Sequence, residues 1–169
     1  IKELELKLFI DEVQENLGRI AGLPAIQEAA VSLLAEEESP NAQQAYDTLQ
    51  RLVESAAAAA PELSEIFFLT DVGGRIFFST DKVHEGGYRV TDSYYRRGLD
   101  GPVVQNVYPS AVTSAPTLTT AAPLIDDREG RLGVIAAHVS LEKLDRIVKD
   151  RTGLGSSGES YLVDALNVF

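Results

Sequence analysis

Residues 90–140, VTDSYYRRGLDGPVVQNVYPSAVTSAPTLTTAAPLIDDREGRLGVIAAHVS, decide the fold of this chain. Ser93 is a favourable cap for a short helix, which Gly98 and Gly101 should end early. Two strand-like segments follow at 103–108 and 117–125, and a polar turn at 126–130 leads into a return strand over 132–140. A short aromatic helix facing two long strands predicts a sheet that carries a small polar pocket.

The first 22 residues predict a long helix with an apolar seam. Apolar residues recur at alternating spacings of four and three, as in a heptad pattern. The seam consists of Leu6, Ile10, Val13, Leu17 and Ile20. Two interpretations stay open: the helix packs on its own domain, or it forms a homodimer with a second copy of the chain.

The remaining segments complete an α+β pattern. Two further helices are predicted, one opening at Pro24 and one starting at 39–41 and ending at Pro61. Apolar runs at 66–69 and 76–79 surround a Gly-containing turn, which indicates a β-hairpin with both faces covered. A polar loop at 80–91 could lie over the sheet, and 141–150 forms a closing helix. The fold class is therefore α+β, with long N-terminal helices, a mainly antiparallel sheet and flanking short helices.

Composition excludes several classes of function. The net charge of −11 argues against nucleic acid as a partner and against an anionic membrane surface. The sequence has no cysteine, so it can form neither disulfides nor thiolate metal sites. No run of about 20 apolar residues is available to span a bilayer. The chain begins at Ile1 without a signal-peptide pattern, so we expect it to be part of a longer protein.

Motifs for catalysis or metal binding are weak. The glycine pattern at 153–158 follows a predicted helix rather than a strand, so it does not indicate a dinucleotide site. A metal site would need both histidines, His84 and His138, together with carboxylates from distant parts of the chain. The sequence shows no spacing of these residues that is typical of metal ligands. The sequence therefore predicts no enzyme, no metal and no cofactor.

His138 is the more informative histidine. On a strand it shares one face with Val134 and Ala136, while Ile135 and Ala137 face the other way. Both faces are small or apolar, which predicts a central strand and a partly buried imidazole that needs a partner. Two interpretations stay open. The partner is a backbone group or a tyrosine hydroxyl, or else His138 faces a cavity and contacts a ligand.

Residues 1–150 resemble a Cache domain, the extracytoplasmic PAS-like sensor module of bacterial and archaeal signalling receptors. The resemblance rests on the N-terminal helix, the hairpin IFFLTDVGGRIFFST, the segment DSYYRRGLDG and the strands VYPSAVTSAPTLTTAAPLIDDREGRLGVIAAHVS. It implies a PAS-like membrane-distal lobe over 63–150, preceded by a helical region at 1–62. Residues 151–169 would be a connector and the start of a truncated second lobe.

The resemblance also implies a ligand site between the sheet and the short helix. The residues that would form it are Asp92, Tyr94, Tyr95, Arg96, Tyr108, Thr119 and His138. Because the arginine and aspartate that hold α-amino acids in this family do not match, a small carboxylate bound by Arg96 and His138 is the expected ligand.

The implied function is small-molecule sensing in a transmembrane receptor of the histidine kinase, chemoreceptor or cyclase type. The receptor would be anchored in the membrane by segments outside this chain. The alternative is a cytosolic PAS-like dimerisation module without a ligand of its own.

Overall fold

The chain folds into helices followed by an antiparallel sheet. The computed structural model describes residues 2–36, 38–110 and 114–150. Within these ranges the helices are α1 (Lys2–Ala21), α2 (Pro24–Glu36), α3 (Ala42–Ala57), α4 (Ser93–Gly98) and α5 (Glu142–Lys149). The strands are β1 (Leu63–Thr70), β2 (Ile76–Ser79), β3 (Val103–Pro109), β4 (Pro116–Asp126) and β5 (Gly130–Val139). The predicted α+β class is confirmed.

The sheet has the order β2-β1-β5-β4-β3, and all of its strand pairs are antiparallel. The predicted hairpin is the β1–β2 pair, and nearly all of its apolar side chains are buried, as expected for a sheet covered on both faces. β5 lies in the centre, between β1 and β4, as the small apolar residues on both of its faces indicated.

Each face of the sheet has its own hydrophobic core. The larger core lies beneath α1, α2, α3 and α5 and includes Ile135 and Ala137 of β5. The smaller core lies beneath α4 and includes Val134 and Ala136. The division of β5 side chains between its two faces therefore follows the predicted alternation.

The seam of α1 belongs to the larger core. Val13, Leu17 and Ile20 are at most 1% exposed, and α1 packs on β4 and β5. Burial of each side chain contributes roughly 1.5–3 kcal/mol to folding. At these positions the helix therefore packs on its own domain, which was the first of the two interpretations of the seam. The three residues offer no surface to a second copy of the chain. Phe9, which lies outside the predicted seam, is buried as well.

The capping position of α4 lies one residue earlier than the sequence suggests. α4 begins at Ser93, so Asp92 rather than Ser93 occupies the capping position, and the Asp92 side chain makes no capping hydrogen bond. The predicted connector at 151–169 lies outside the described residues. None of the described helices combines the length and apolar character needed to cross a membrane.

Candidate ligand-binding site

α4 is held close to the sheet by Gly98. A Cβ atom at this position would lie 3.1 Å from Ala121 and Val134, so any larger residue would push these side chains back from α4. Tyr94 and Tyr95 point into the smaller core and are buried. The short aromatic helix therefore covers this face of the sheet, as the sequence indicated.

Arg96 lies apart from the buried tyrosines of α4. Arg96 and Arg97 are both exposed on the outer side of α4. Tyr94 and Tyr95 occupy the inward-facing positions of this short helix, which leaves Arg96 and Arg97 on its outer side. The expectation that Arg96 holds a ligand is therefore not supported by its position.

Tyr95 forms hydrogen bonds to the β1–β2 turn. Its hydroxyl donates to the carbonyl oxygens of Thr70 at 3.1 Å and Asp71 at 2.8 Å. Its ring packs against Gly74, which has a positive φ of 60° and leaves no room for a side chain. Burial raises the pKa of the Tyr95 hydroxyl. With both of these bonds directed at the backbone, Tyr95 acts as a structural residue.

Tyr108, Thr119 and His138 form a chain of hydrogen bonds. The Tyr108 hydroxyl lies 2.9 Å from Thr119 Oγ1, which lies 2.9 Å from Nδ1 of His138. Thr119 and His138 are direct partners across β4 and β5, so strand register brings them together. Burial raises the pKa of Tyr108, an effect that the bond to Thr119 opposes. Burial lowers the pKa of His138, while the negative charge of Glu65 raises it. Three of the predicted site residues are thus in contact.

Asp92 and Tyr94 form a second pair beside this chain. The Tyr94 hydroxyl donates to Asp92 Oδ2 at 3.1 Å. Desolvation, followed by the negative charge of Asp92, raises the pKa of Tyr94 well above its usual value. The Phe67 ring links the two groups, because its centre lies 6.0 Å from the ring of Tyr94 and 5.0 Å from that of His138. Phe67 therefore supplies an apolar surface between polar groups.

Arg89 is the cation of this region, and the sequence analysis did not select it. Its Nε lies 3.8 Å from Asp92 Oδ2, and its side chain is only 15% exposed. Its backbone N–H donates to the carbonyl oxygen of Gly74 at 2.8 Å, which ties the loop to the β1–β2 turn. Its charge also acts on Tyr94, Tyr108 and His138. The available signal was weak: the loop at 80–91 was expected to lie over the sheet, and Arg89 is its only arginine.

Glu65 is the second residue that the sequence analysis missed. It is the only charged residue in β1 and is 8% exposed. Its Oε1 accepts a hydrogen bond from Ser79 Oγ at 2.7 Å and lies 2.8 Å from His84 Nδ1. Its Oε2 lies 3.8 Å from His138 Nε2. A single acid within an apolar strand was a usable signal that its side chain has a specific partner.

A shallow cleft opens elsewhere, on the helical side of the sheet. Its walls include Leu33, Tyr46, Phe77 and Glu85, and none of the predicted site residues lines it. The cluster around His138 has several polar groups that could recognise a polar ligand. Most residues that line the cleft are apolar, and its one carboxylate, Glu85, already accepts hydrogen bonds from Tyr46 and Ser79. We therefore assign the candidate site to the face of the sheet beneath α4.

The fold is similar to that of the Cache-type ligand-binding sensor domains of a histidine kinase and a chemoreceptor, which confirms at the level of the fold the resemblance seen in the sequence. No protein-family model matches the sequence, and no curated protein does so either.

Three solved structures illustrate this similarity. The first is the sensor domain of the histidine kinase DctB of V. cholerae, with 16% identity, a TM-score of 0.59, and coverage of 86% of this chain and 61% of that one. The second is the ligand-binding domain of the Campylobacter jejuni chemoreceptor Tlp3 in complex with L-norvaline, with 12% identity, a TM-score of 0.64, and coverage of 88% and 58%. The third is an extracellular ligand-binding receptor from Desulfohalobium retbaense, with 15% identity, a TM-score of 0.53, and coverage of 79% and 26%. This chain therefore spans between about a quarter and about three fifths of the length of these three chains.

Proposed function

We propose that this chain is the small-molecule-sensing part of an extracytoplasmic receptor and that it binds a small carboxylate at the face beneath α4. The observation that carries the proposal is the group of polar side chains formed by Arg89, Asp92, Tyr108, Thr119 and His138 in a largely apolar setting. Sites that bind small molecules typically have a small number of polar groups on an apolar wall.

Arg89 is the residue that would hold the carboxylate. Its Nη1 donates to the carbonyl oxygen of Tyr88 at 2.9 Å, and its Nε lies 3.8 Å from Asp92, beyond ordinary hydrogen-bond distance, so the guanidinium has donors left for a ligand. The Tyr108 hydroxyl, which lies beside Thr119, would add a hydrogen bond to the ligand from the sheet. Arg89 thus takes the role that the sequence analysis gave to Arg96, while the expected ligand class is unchanged.

Asp92 determines which carboxylates fit. A ligand that carries an ammonium group next to its carboxylate could pair with Asp92 and Arg89 together, whereas a simple carboxylate would use Arg89 alone. The apolar part of either ligand would pack on Phe67. The complex of Tlp3 with L-norvaline makes amino acids a necessary part of any test panel.

The location and the receptor type follow from the same proposal. The matched domains belong to a histidine kinase, a chemoreceptor and an extracellular receptor, which supports an extracytoplasmic site of action. We propose a binding role without catalysis, and membrane anchoring by segments outside this chain. The alternative of a cytosolic dimerisation module loses its main sequence signal, because Val13, Leu17 and Ile20 are buried within their own domain.

A thermal-shift screen followed by calorimetry tests the proposal. The panel contains small carboxylates, α-amino acids, amines and nucleobases. A ligand at about a hundred times its dissociation constant should stabilise the chain by roughly 2.7 kcal/mol. Arg89→Ala should weaken binding of the hit by about ten- to a hundredfold, because a charge-assisted hydrogen bond is worth about 1.5–3 kcal/mol.

Arg97→Ala is the matched control, since it removes an arginine from the exposed side of α4. Tyr108→Phe should also weaken binding, whereas Tyr88→Phe should not, because Tyr88 is 65% exposed. Equal affinity in Arg89→Ala and Arg97→Ala would refute the assignment of the site. A panel without any hit would argue against small-molecule sensing by this chain.

A further inference from the structure

Both histidines of this sequence lie against one buried carboxylate. His84 comes from the 3₁₀ turn Lys82–His84 in the loop between β2 and α4, and His138 comes from the centre of β5. Glu65 of β1 lies between them, 2.8 Å from His84 Nδ1 and 3.8 Å from His138 Nε2. The sequence analysis expected no metal site because these groups are far apart along the chain, but the fold brings them together.

Asp81 adds a second carboxylate to this group. Its Oδ2 lies 3.9 Å from His84 Nδ1, and the ligand atoms of Glu65, Asp81 and His84 all lie within 4.8 Å of one another. Two atoms bound to the same zinc ion at about 2.0–2.1 Å are about 3.3 Å apart in tetrahedral geometry. The separations of His84 Nδ1 from Glu65 and Asp81 fall on both sides of this value, and His138 lies beside this group of three, 3.8 Å from Glu65 Oε2. Asp81 and His84 lie on a surface loop, so small side-chain rotations could bring them to the ion.

His138 is oriented as a metal ligand would be. Its Nδ1 is engaged by Thr119 Oγ1 at 2.9 Å, and its Nε2 points toward Glu65 Oε2. Metal-binding histidines usually use their second ring nitrogen in such a hydrogen bond, which fixes the ring and leaves the other nitrogen free for the ion. The Thr119 and Tyr108 hydroxyls continue the chain behind His138. The imidazole is thus held in place from the side away from Glu65.

We propose that Glu65, Asp81, His84 and His138 bind a divalent transition-metal ion of the zinc class. Imidazole together with carboxylate suits zinc, nickel or copper, whereas calcium and magnesium prefer oxygen ligands alone. The half-exposed Asp81 carboxylate leaves a route for the ion from solvent. The ion would join β1, β5 and the loop that carries Arg89, and so hold this loop over the face beneath α4. The proposal goes beyond small-molecule sensing, since the cluster can bind an ion whether or not a carboxylate binds near Arg89.

The test is titration of the complete chain, stripped of metal with a chelator, with zinc chloride in a calorimeter and with cobalt(II) in a spectrophotometer. We expect one ion per chain, a rise in melting temperature with zinc, and the visible absorption of low-coordinate cobalt(II). His84→Asn and His138→Asn should each weaken binding by at least about tenfold, consistent with the loss of a ligand.

Glu65→Gln removes the central charge. Glu54 is an exposed residue of α3, and Glu54→Gln is the matched control. The Glu65 variant should lose binding and the Glu54 variant should keep it. If Glu65→Gln does not fold, His84→Asn still decides the question, because His84 lies on the loop outside the sheet. Absence of zinc binding, equal affinity for magnesium, or unchanged affinity in His84→Asn would overturn the proposal. Because no carboxylate is added, these results are separate from those of the ligand screen.

Discussion

Gly133 is the position at which a single methyl group should disturb the sheet most. It lies in β5 with a positive φ of 147°, opposite Thr70 of β1 and Leu124 of β4. A Cβ atom at this position would lie 1.9 Å from the carbonyl oxygen of Leu69 and 2.9 Å from the backbone nitrogen of Asp71. Both neighbours are main-chain atoms, so no side-chain rotation can relieve the contact. Gly133→Ala must therefore move β5 away from β1.

The expected cost combines two effects. Overpacking of a well-packed interior costs about 1–3 kcal/mol, and here the obstacle is backbone, which places the cost at the upper end. Non-glycine residues rarely adopt a φ of 147°, and this backbone strain adds about 1–2 kcal/mol. Gly133→Ala should therefore lower the free energy of unfolding by about 3–5 kcal/mol, a large part of the 5–15 kcal/mol typical of a domain. The melting temperature should fall by about 6–20 °C for a chain of this size.

Urea unfolding followed by circular dichroism measures this change directly. Gly18→Ala is the control, because a Cβ at Gly18 has no neighbouring atom within 4 Å and the residue lies inside α1. That variant should stabilise the chain by about 0.5–1 kcal/mol, the usual gain from replacing glycine in a helix. A cost below about 1 kcal/mol for Gly133→Ala would refute the close approach of β5 to the end of β1. It would also put in doubt the register that places His138 beside Glu65.

Two further predictions concern the β4–β5 turn and the loop after β2. Backbone N–H groups of the turn donate to Asp126 at 2.8 and 2.9 Å and lower the pKa of its carboxyl group. Its stabilising effect should therefore be complete above the unfolded-state pKa of about 3.9 and disappear as the pH falls through the lower folded-state value. The difference in melting temperature between the wild type and Asp126→Ala should shrink on acidification, and an unchanged difference would contradict this. The Tyr46 hydroxyl donates to Glu85 at 2.6 Å. Tyr46→Phe should therefore lower the free energy of unfolding by about 0.5–1.5 kcal/mol and speed amide exchange in the loop at 80–91. Tyr88→Phe, at an exposed position, should change neither quantity.

The elements of the fold were largely predictable because their signals are local. Pro24 begins α2 as expected, whereas α3 ends at Ala57, before the Pro61 that was expected to end it. The acidic turn at 126–130 connects two strands as its composition suggested. The alternation of apolar residues in β5 correctly divided Val134 from Ile135. The seam of α1 was also visible, but its pattern is the same whether the partner is a sheet or another helix.

The candidate site was predictable only in part. Tyr108, Thr119 and His138 could be selected because they lie on strands of one recognisable hairpin and its neighbour. Arg96 was selected in place of Arg89 because sequence proximity to the tyrosines of α4 does not say which side of a short helix faces the sheet. Only the course of the loop, fixed by the bond between Arg89 and Gly74, decides which arginine is enclosed.

The sequence by itself determined the order of helices and strands, the central position of β5 and the need of His138 for a partner, since each depends on periodicity or on the cost of burying a polar group. Tertiary structure alone decided the identity of that partner. Antiparallel pairing of β1 with β5 and of β5 with β4 places Glu65, His138 and Thr119 side by side, although they are far apart along the chain. Register across three strands depends on the packing of both sheet faces at once, and no local pattern encodes it.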